Sequence, residues 1–235
     1  MNAGTPTTGL ALFVKTPGLS PIKTRLAAGI GERHALALYR RCLRSVEDSV
    51  QRACRRYPQL RPYYAVAESS ALDHSRWSGW PRLSQGEGDL GERLASVHRQ
   101  LARRHPQTLL LGADLPGLQP RHLGAALSAL ARQPMAIGPG LDGGYYLFAS
   151  GVDLPDSVFT QVRYSHSDTL RQFRALLAEH GEVADLEPLG DLDSQSDITG
   201  LIAQMPQRAS RPQRRLYRHL RRYLPRTEGA DGRTA

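Results

Sequence analysis

The feature that most constrains this chain is an alternation. Short apolar runs, GLALFVK (9–15), PYYAVA (62–67), TLLLGA (108–113), MAIG (135–138) and YYLFA (145–149), are separated by longer stretches with helical spacing. Runs of this length bounded by Gly, Pro or Asp read as buried strands. Between them, Ala35, Leu38, Cys42, Val46 and Val50 recur at intervals of three and four, which predicts a helix over 32–54. Segments 89–104, 120–132 and 168–179 read as helices too. Strands alternating with helices predict an α/β fold, a three-layer α/β/α arrangement around a mostly parallel sheet. Ligands of such sheets bind beyond the carboxyl ends of the strands, so the loops after strands are where chemistry is expected.

With 235 residues, 40% of them hydrophobic, the chain suits one large domain, expected over residues 1–205. The rest, 206–235, reads as a basic C-terminal helix followed by a disordered tail. Leu216, Leu220 and Leu224 fall on one helical face among arginines, and the last ten residues hold no apolar side chain larger than alanine. Nine arginines against Glu228 and Asp231 concentrate the charge there, whereas the preceding 205 residues carry a net charge of only +2. A nearly neutral body argues against a dedicated nucleic-acid binder. The tail admits a helix packed on the domain with solvated arginines, or a weak membrane-surface contact. No apolar run reaches the roughly 18–20 residues of a membrane span, and MNAGTPTTG lacks the order of a secretory signal, so a cytoplasmic location is expected. Cys42 and Cys54 lie on one helix, about 18 Å apart at 1.5 Å per residue, and are expected to be unpaired. The sequence is silent on oligomeric state.

Lysine occurs only twice, at Lys15 and Lys23, in an arginine-rich chain. The loop TPGLSPIKTRL leaves the first strand and delivers Lys23, Thr24 and Arg25, with Thr16 at its start. Neither GxxxxGK[ST] nor GxGxxG is satisfied there or at GIGERH (29–34), which excludes a Walker loop and a Rossmann fingerprint. What stands is a cationic pair placed to face phosphates, with two exposed surface charges as the alternative. Asp114 follows TLLLGA at a strand end, where a carboxylate can hold a divalent cation together with substrate phosphates, or simply cap a turn. Asp142, within GPGLDGGYYLFA, reads as a hairpin aspartate or as a cleft carboxylate with Gly143 and Gly144 leaving room for a ligand beside Tyr145. In QGEGDLGERL (85–94), Asp89, Gly91 and Arg93 start a helix or approach a nucleotide. In DLDSQSDI (191–198), Asp193 offers another metal ligand, with Ser194 and Asp197 read as a helix start. His166, in YSHSDTL, reads as a helix start. No GxSxG supports a hydrolase elbow.

Together VKTPGLSPIKTRLA, QGEGDLGERL, LLLGADLPGL, GPGLDGGYYLFA and DLDSQSDI, in this order over residues 10–205, resemble the DUF2064 family of bacterial proteins. These are also called radical-SAM/selenodomain-associated transferase 1. That resemblance implies the GT-A, or nucleotide-diphospho-sugar transferase, fold and kinship with molybdenum cofactor guanylyltransferase and phospholactate guanylyltransferase. It implies a transferase that uses Mg²⁺ or Mn²⁺ and a nucleotide or nucleotide-sugar substrate with an unidentified acceptor. Glycosyl transfer and nucleotidyl transfer both follow from it, and a non-catalytic nucleotide-binding protein docked by its basic tail is a further alternative. Lys23 and Arg25 would contact phosphates, with Thr16, Thr24, Asp89, Gly91 and Arg93 on the nucleotide. Asp114 would be the metal aspartate, joined by Asp142 and Asp193. Gly143, Gly144 and Tyr145 would meet the substrate. Glycosyltransferases of this fold commonly carry a DxD pair, whereas this chain has Asp-Leu-Pro at 114–116.

Overall fold

The structure is a computed structural model that describes residues 6–224. The expected disordered tail lies outside the described residues. Seven strands form one sheet in the order β3-β2-β1-β4-β6-β5-β7. They are β1 (Thr8–Val14), β2 (Leu60–Val66), β3 (Arg82–Ser84), β4 (Gln107–Leu111), β5 (Met135–Pro139), β6 (Tyr145–Ser150) and β7 (Val183–Asp185). β6 runs antiparallel to both β4 and β5, and the remaining pairings are parallel. The two-fold exception has a local cause: only five residues separate β5 from β6, too few for the crossover a parallel pair needs.

Eight helices surround the sheet among the described residues: α1 (Thr24–Ile30), α2 (Glu32–Arg56), α3 (Leu90–Ala102), α4 (Pro120–Leu130), α5 (Ser157–Thr160), α6 (Thr169–Leu177), α7 (Asp197–Ala203) and α8 (Arg211–Leu220). α2 and α4 bury Leu43, Val46, Leu123 and Leu127 with Leu10, Leu12 and Leu109 of the sheet. α3, α5 and α6 bury Leu101, Phe159 and Phe173 with Ala11, Leu110 and Phe148. Alternate residues of β1 and β4 thus feed opposite cores, as the two-residue period of a strand covered on both faces requires.

Two expectations need correction. The segment before residue 32 is not all loop, since α1 already begins at Thr24; its single buried apolar residue, Leu26, gives no helical repeat to read. α8 ends at Leu220 and a 3₁₀ turn follows, so Leu224 leaves the apolar face and is 37% exposed. Leu216, Tyr217 and Leu220 are fully buried in a third cluster with α1, α2 and α7, while Arg211, Arg214, Arg215, Arg218, Arg221 and Arg222 face solvent. The cysteines are free, as expected from their spacing.

His98 of α3 and His122 of α4 are buried on opposite faces of the sheet. Burial pushes both down to about 4, helped at His122 by the Arg121 guanidinium. A histidine in the unfolded chain titrates near 6.5. Between those values the unfolded state binds more protons, so the stability these groups contribute is complete above about pH 6.5 and lost as pH falls through 4. Replacing His98 by leucine is expected to remove about 2–3 kcal/mol of the loss between pH 7 and pH 4. Urea unfolding at the two pH values measures it, and an unchanged loss would mean that His98 charges freely inside the fold.

Candidate active site

β2 lies on one side of β1 and β4 on the other, so the chain winds away in both directions and a crevice opens beyond the strand ends. A cleft of about 710 Å³ occupies this position. Its walls come from the loops after β1 and β4, Gln85 after β3, Leu90 and Leu94 of α3, the β5–β6 turn, the segment leading into α6 and the stretch before α7.

The exit from β1 is held rigidly. Tyr39 of α2 accepts a hydrogen bond from the Lys15 amide at 3.1 Å and donates to the Lys15 carbonyl at 2.8 Å. Thr16 is buried; its amide donates to Glu68 and its hydroxyl accepts from the Trp77 indole at 3.0 Å. The amide and the hydroxyl oxygen of Thr16 are therefore engaged away from the cleft, and its carbonyl accepts from the Leu19 amide. Lys23 sits at the N-cap of α1 with φ 54° and ψ 46°, a left-handed conformation uncommon for a side-chain-bearing residue. Its Nζ lies 2.7 Å from Asp114 Oδ2 and 3.8 Å from Asp193 Oδ1, and its side chain is 5% exposed. Burial works against the ammonium, but the Asp114 carboxylate outweighs it and holds the Lys23 pKa above the ordinary value. Arg25, in the first turn of α1, is exposed and pairs with Asp193 Oδ2 at 3.0 Å. Thr24 also lines the cleft.

Asp114 follows β4, and its carbonyl accepts a hydrogen bond from the Leu192 amide at 2.9 Å. That bond fastens the 191–193 stretch beside Asp114. Leu192 is fully buried, and Asp191 and Asp193 on either side of it both line the cleft. Asp191 was not among the expected site residues. Its signal was the Asp-Leu-Asp pattern itself, an apolar anchor between two carboxylates. Burial first, and then the Asp142 carboxylate, push the Asp191 pKa up to about 6. At neutral pH the fold carries this charge at some cost in stability, as sites that need a carboxylate commonly do. The expected cap by Ser194 is corrected: Ser196 is the N-cap residue of α7, and Asp197 reaches back to accept from the amides of Asp193 and Ser194.

Asp142 is at once a turn residue and a cleft residue. Its Oδ1 accepts from the Gly144 amide at 2.9 Å, closing the β5–β6 turn, and the side chain lines the cleft with Gly144 and Tyr145. Tyr145 stacks on Phe173 with ring centroids 4.8 Å apart. Gly143 has φ 88°, and a methyl group added there would overlap the Ser167 carbonyl. The Leu170 amide donates to the Gly143 carbonyl at 2.9 Å, so the turn is clamped to the segment entering α6. That segment brings His166 to the cleft as well as starting the helix.

The structure thus gathers Lys23, Thr24, Arg25, Asp114, Asp142, Gly144, Tyr145 and Asp193 around one cleft and leaves Thr16, Asp89, Gly91, Arg93 and Gly143 outside its lining. Asp89 and Glu92 form a reciprocal capping box on α3. Arg93 donates to the Gly88 carbonyl. Gly91 lies where α3 crosses α5, with the Phe159 carbonyl only 2.6 Å from an added Cβ. These three are explained by helix initiation and packing.

Among the described residues, no three His, Cys, Asp or Glu side chains lie close enough to hold a metal ion unaided. Asp114 Oδ1 is nevertheless buried with no hydrogen-bond partner. The charged acceptors around it are all carboxylate oxygens, the donor type of a hard cation whose shell is completed by substrate phosphates and water. The residues therefore fit a substrate-completed metal site.

Residues 51–166 match the model of a family described as "Uncharacterized protein conserved in bacteria (DUF2064)". A solved structure described as a "putative nucleotide-diphospho-sugar transferase" from Desulfovibrio desulfuricans G20 is 23% identical. It aligns over 92% of this chain and 97% of its own, with a TM-score of 0.77. The bifunctional IspDF from Campylobacter jejuni is 9% identical over 85% of this chain and 54% of its own, with a TM-score of 0.53. At these identities the likeness establishes the fold. No curated protein sequence matches the chain.

Proposed function

We propose, from its cleft, that this chain, whose residues 51–166 match the DUF2064 model and which has the fold of a nucleotide-diphospho-sugar transferase, is a metal-dependent transferase that uses a nucleoside-diphosphate sugar. The observation that carries the reading is the meeting of Lys23 and Arg25 with the carboxylates of Asp114, Asp142, Asp191 and Asp193 where the sheet switches direction. Asp114, with Asp193 and Asp142 as further oxygen donors, would hold Mg²⁺ or Mn²⁺. When bound, that ion neutralises charge developing on the leaving diphosphate. Lys23 and Arg25, whose backbone is held at the start of α1 beside the same carboxylates, would add donors to the same oxygens. Gly144 and Tyr145 form the wall available to the transferred group or its acceptor.

A second reading, nucleotidyl transfer, is favoured by one observation. The loop after β4 supplies a single carboxylate, with Leu115 buried and Pro116 following Asp114, so it lacks the paired carboxylates common in glycosyltransferases of this fold. Lys23 and Arg25 would then face the α-phosphate of a nucleoside triphosphate as pyrophosphate leaves. Product analysis separates the readings: nucleoside diphosphate from a sugar nucleotide, or pyrophosphate from a triphosphate.

Thermal shift with nucleotides and nucleotide sugars, with and without Mg²⁺ or Mn²⁺, tests the shared premise. A ligand at a hundredfold its Kd stabilises by about 2.7 kcal/mol, which for a chain of this size raises Tm by about 5–10 °C. The rise is expected only when nucleotide and metal are both present. If no nucleotide moves Tm at saturating concentration, the proposal is wrong.

A further inference from the structure

Lys23 already stands, by charge, where the reading above puts a cation. Its Nζ lies between Asp114 Oδ2 at 2.7 Å and Asp193 Oδ1 at 3.8 Å, with only 5% of the side chain exposed. The lysine is thus the counter-ion of two of the carboxylates assigned to the metal. A divalent ion bound to an Asp114 oxygen would stand one carboxylate group away from this ammonium. Around an ammonium that is only 5% exposed, repulsion at that range is incompletely screened by water.

Resting on the metal-dependent reading, we propose that Lys23 is an internal counter-ion that a divalent cation must displace. The metal takes the carboxylates, and the released ammonium turns to the substrate phosphates. The local structure permits the exchange. The Lys23 backbone is fixed as the N-cap of α1, while its four-carbon stem can swing about that point. Arg25 is in the same position, since its guanidinium pairs with Asp193 from an exposed side chain. Metal binds weakly while the lysine has no other anion to meet. It binds more tightly once a phosphate-bearing substrate accepts the lysine, and the coupling is reciprocal.

The test uses the full chain and Mn²⁺ alone, with free Mn²⁺ followed by electron paramagnetic resonance or binding by calorimetry. Lys23→Met removes the charge and keeps the length, and is expected to bind Mn²⁺ at least tenfold more tightly than the wild type. Lys23→Arg is expected to stay weak, and Lys23→Met combined with Asp114→Asn to lose the gain. A second readout needs no variant, because the chain contains only two lysines. Saturating Mn²⁺ should raise acylation of Lys23 by an amine-reactive reagent severalfold relative to the exposed Lys15, as read by peptide mass spectrometry. If Lys23→Met binds Mn²⁺ no better than the wild type, or if Lys23 labelling stays flat at saturating Mn²⁺, the counter-ion role is overturned. A wild type that still binds Mn²⁺ through Asp114 would in that case leave the transferase reading standing. Absence of Mn²⁺ binding in both wild type and Lys23→Met would overturn the counter-ion role and remove the metal from the proposed function as well.

Discussion

Asp114→Asn is expected to abolish metal-dependent nucleotide stabilisation and to lower turnover by about 10²–10³, and also to destabilise the fold. The carboxylate has two tasks in one place. It is the metal candidate at the exit of β4, and it neutralises a lysine whose side chain is 5% exposed. Removing one partner of a fully buried ion pair costs about 3–5 kcal/mol. Asp114 itself is 34% exposed, and Asp193 remains 3.8 Å from the lysine, so water and the second carboxylate reduce the loss to about 1–3 kcal/mol. Adding Lys23→Met in the Asp114→Asn background removes the stranded charge and is expected to restore most of the stability but none of the turnover. Urea unfolding beside product assays separates the two effects. A variant that retained both its stability and its metal-dependent nucleotide shift would show that Asp114 is an ordinary turn aspartate.

Gly143→Ala is expected to damage the site from outside its lining. At φ 88° an L-residue is strained, and the added methyl group would overlap the Ser167 carbonyl. The turn must then lift from the segment entering α6 and break the bond from the Leu170 amide to the Gly143 carbonyl. Asp142, one residue away, moves with it. A stability loss of about 2–4 kcal/mol is expected from the strain and the overlap together, with a fall in kcat/KM. Gly144→Ala is a sharp control. Its backbone needs no positive φ, and its added Cβ would meet only the tip of Asp142 at 3.2 Å. The expected order of Tm is wild type, then Gly144→Ala, then Gly143→Ala well below both. Equal losses in the two variants would mean that the close approach of Gly143 to Ser167 has no special role.

The central strands were legible because they are covered on both faces and therefore read as nearly unbroken apolar runs. β7 was missed for the converse reason: Val183–Asp185 is three residues at the edge of the sheet, with none of them buried. α1 escaped because one buried leucine makes no pattern. At the site, Lys23, Asp114 and Asp142 were legible from their positions after strands, which fixes the edge of the sheet they share. Their distances were not, because the left-handed turn at Lys23 and the bond from Leu192 to the Asp114 carbonyl have no local sequence signature. Asp191 illustrates the limit from the other side: its neighbours Ser194 and Asp197 look like a helix cap, and that local reading hid the carboxylate next to them. Asp142 shows that two readings of one residue need not compete. It closes its hairpin as Asp-Gly pairs do, and the closed hairpin is what brings it to the cleft.

α8 bears on where this folded unit ends. Its Gln213 is buried, and the side-chain amide donates to the Pro116 carbonyl at 3.0 Å and the Leu118 carbonyl at 2.9 Å. Those carbonyls belong to the β4–α4 loop, which also holds Asp114. The segment that looks from its charge like an appended tail therefore braces the loop carrying the metal candidate. Drift in the outward arginines of α8 would leave that brace intact, whereas a single change at Gln213 would reach the cleft without touching it. A chain cut at residue 205 would keep every cleft-lining residue and lose the support of one of them.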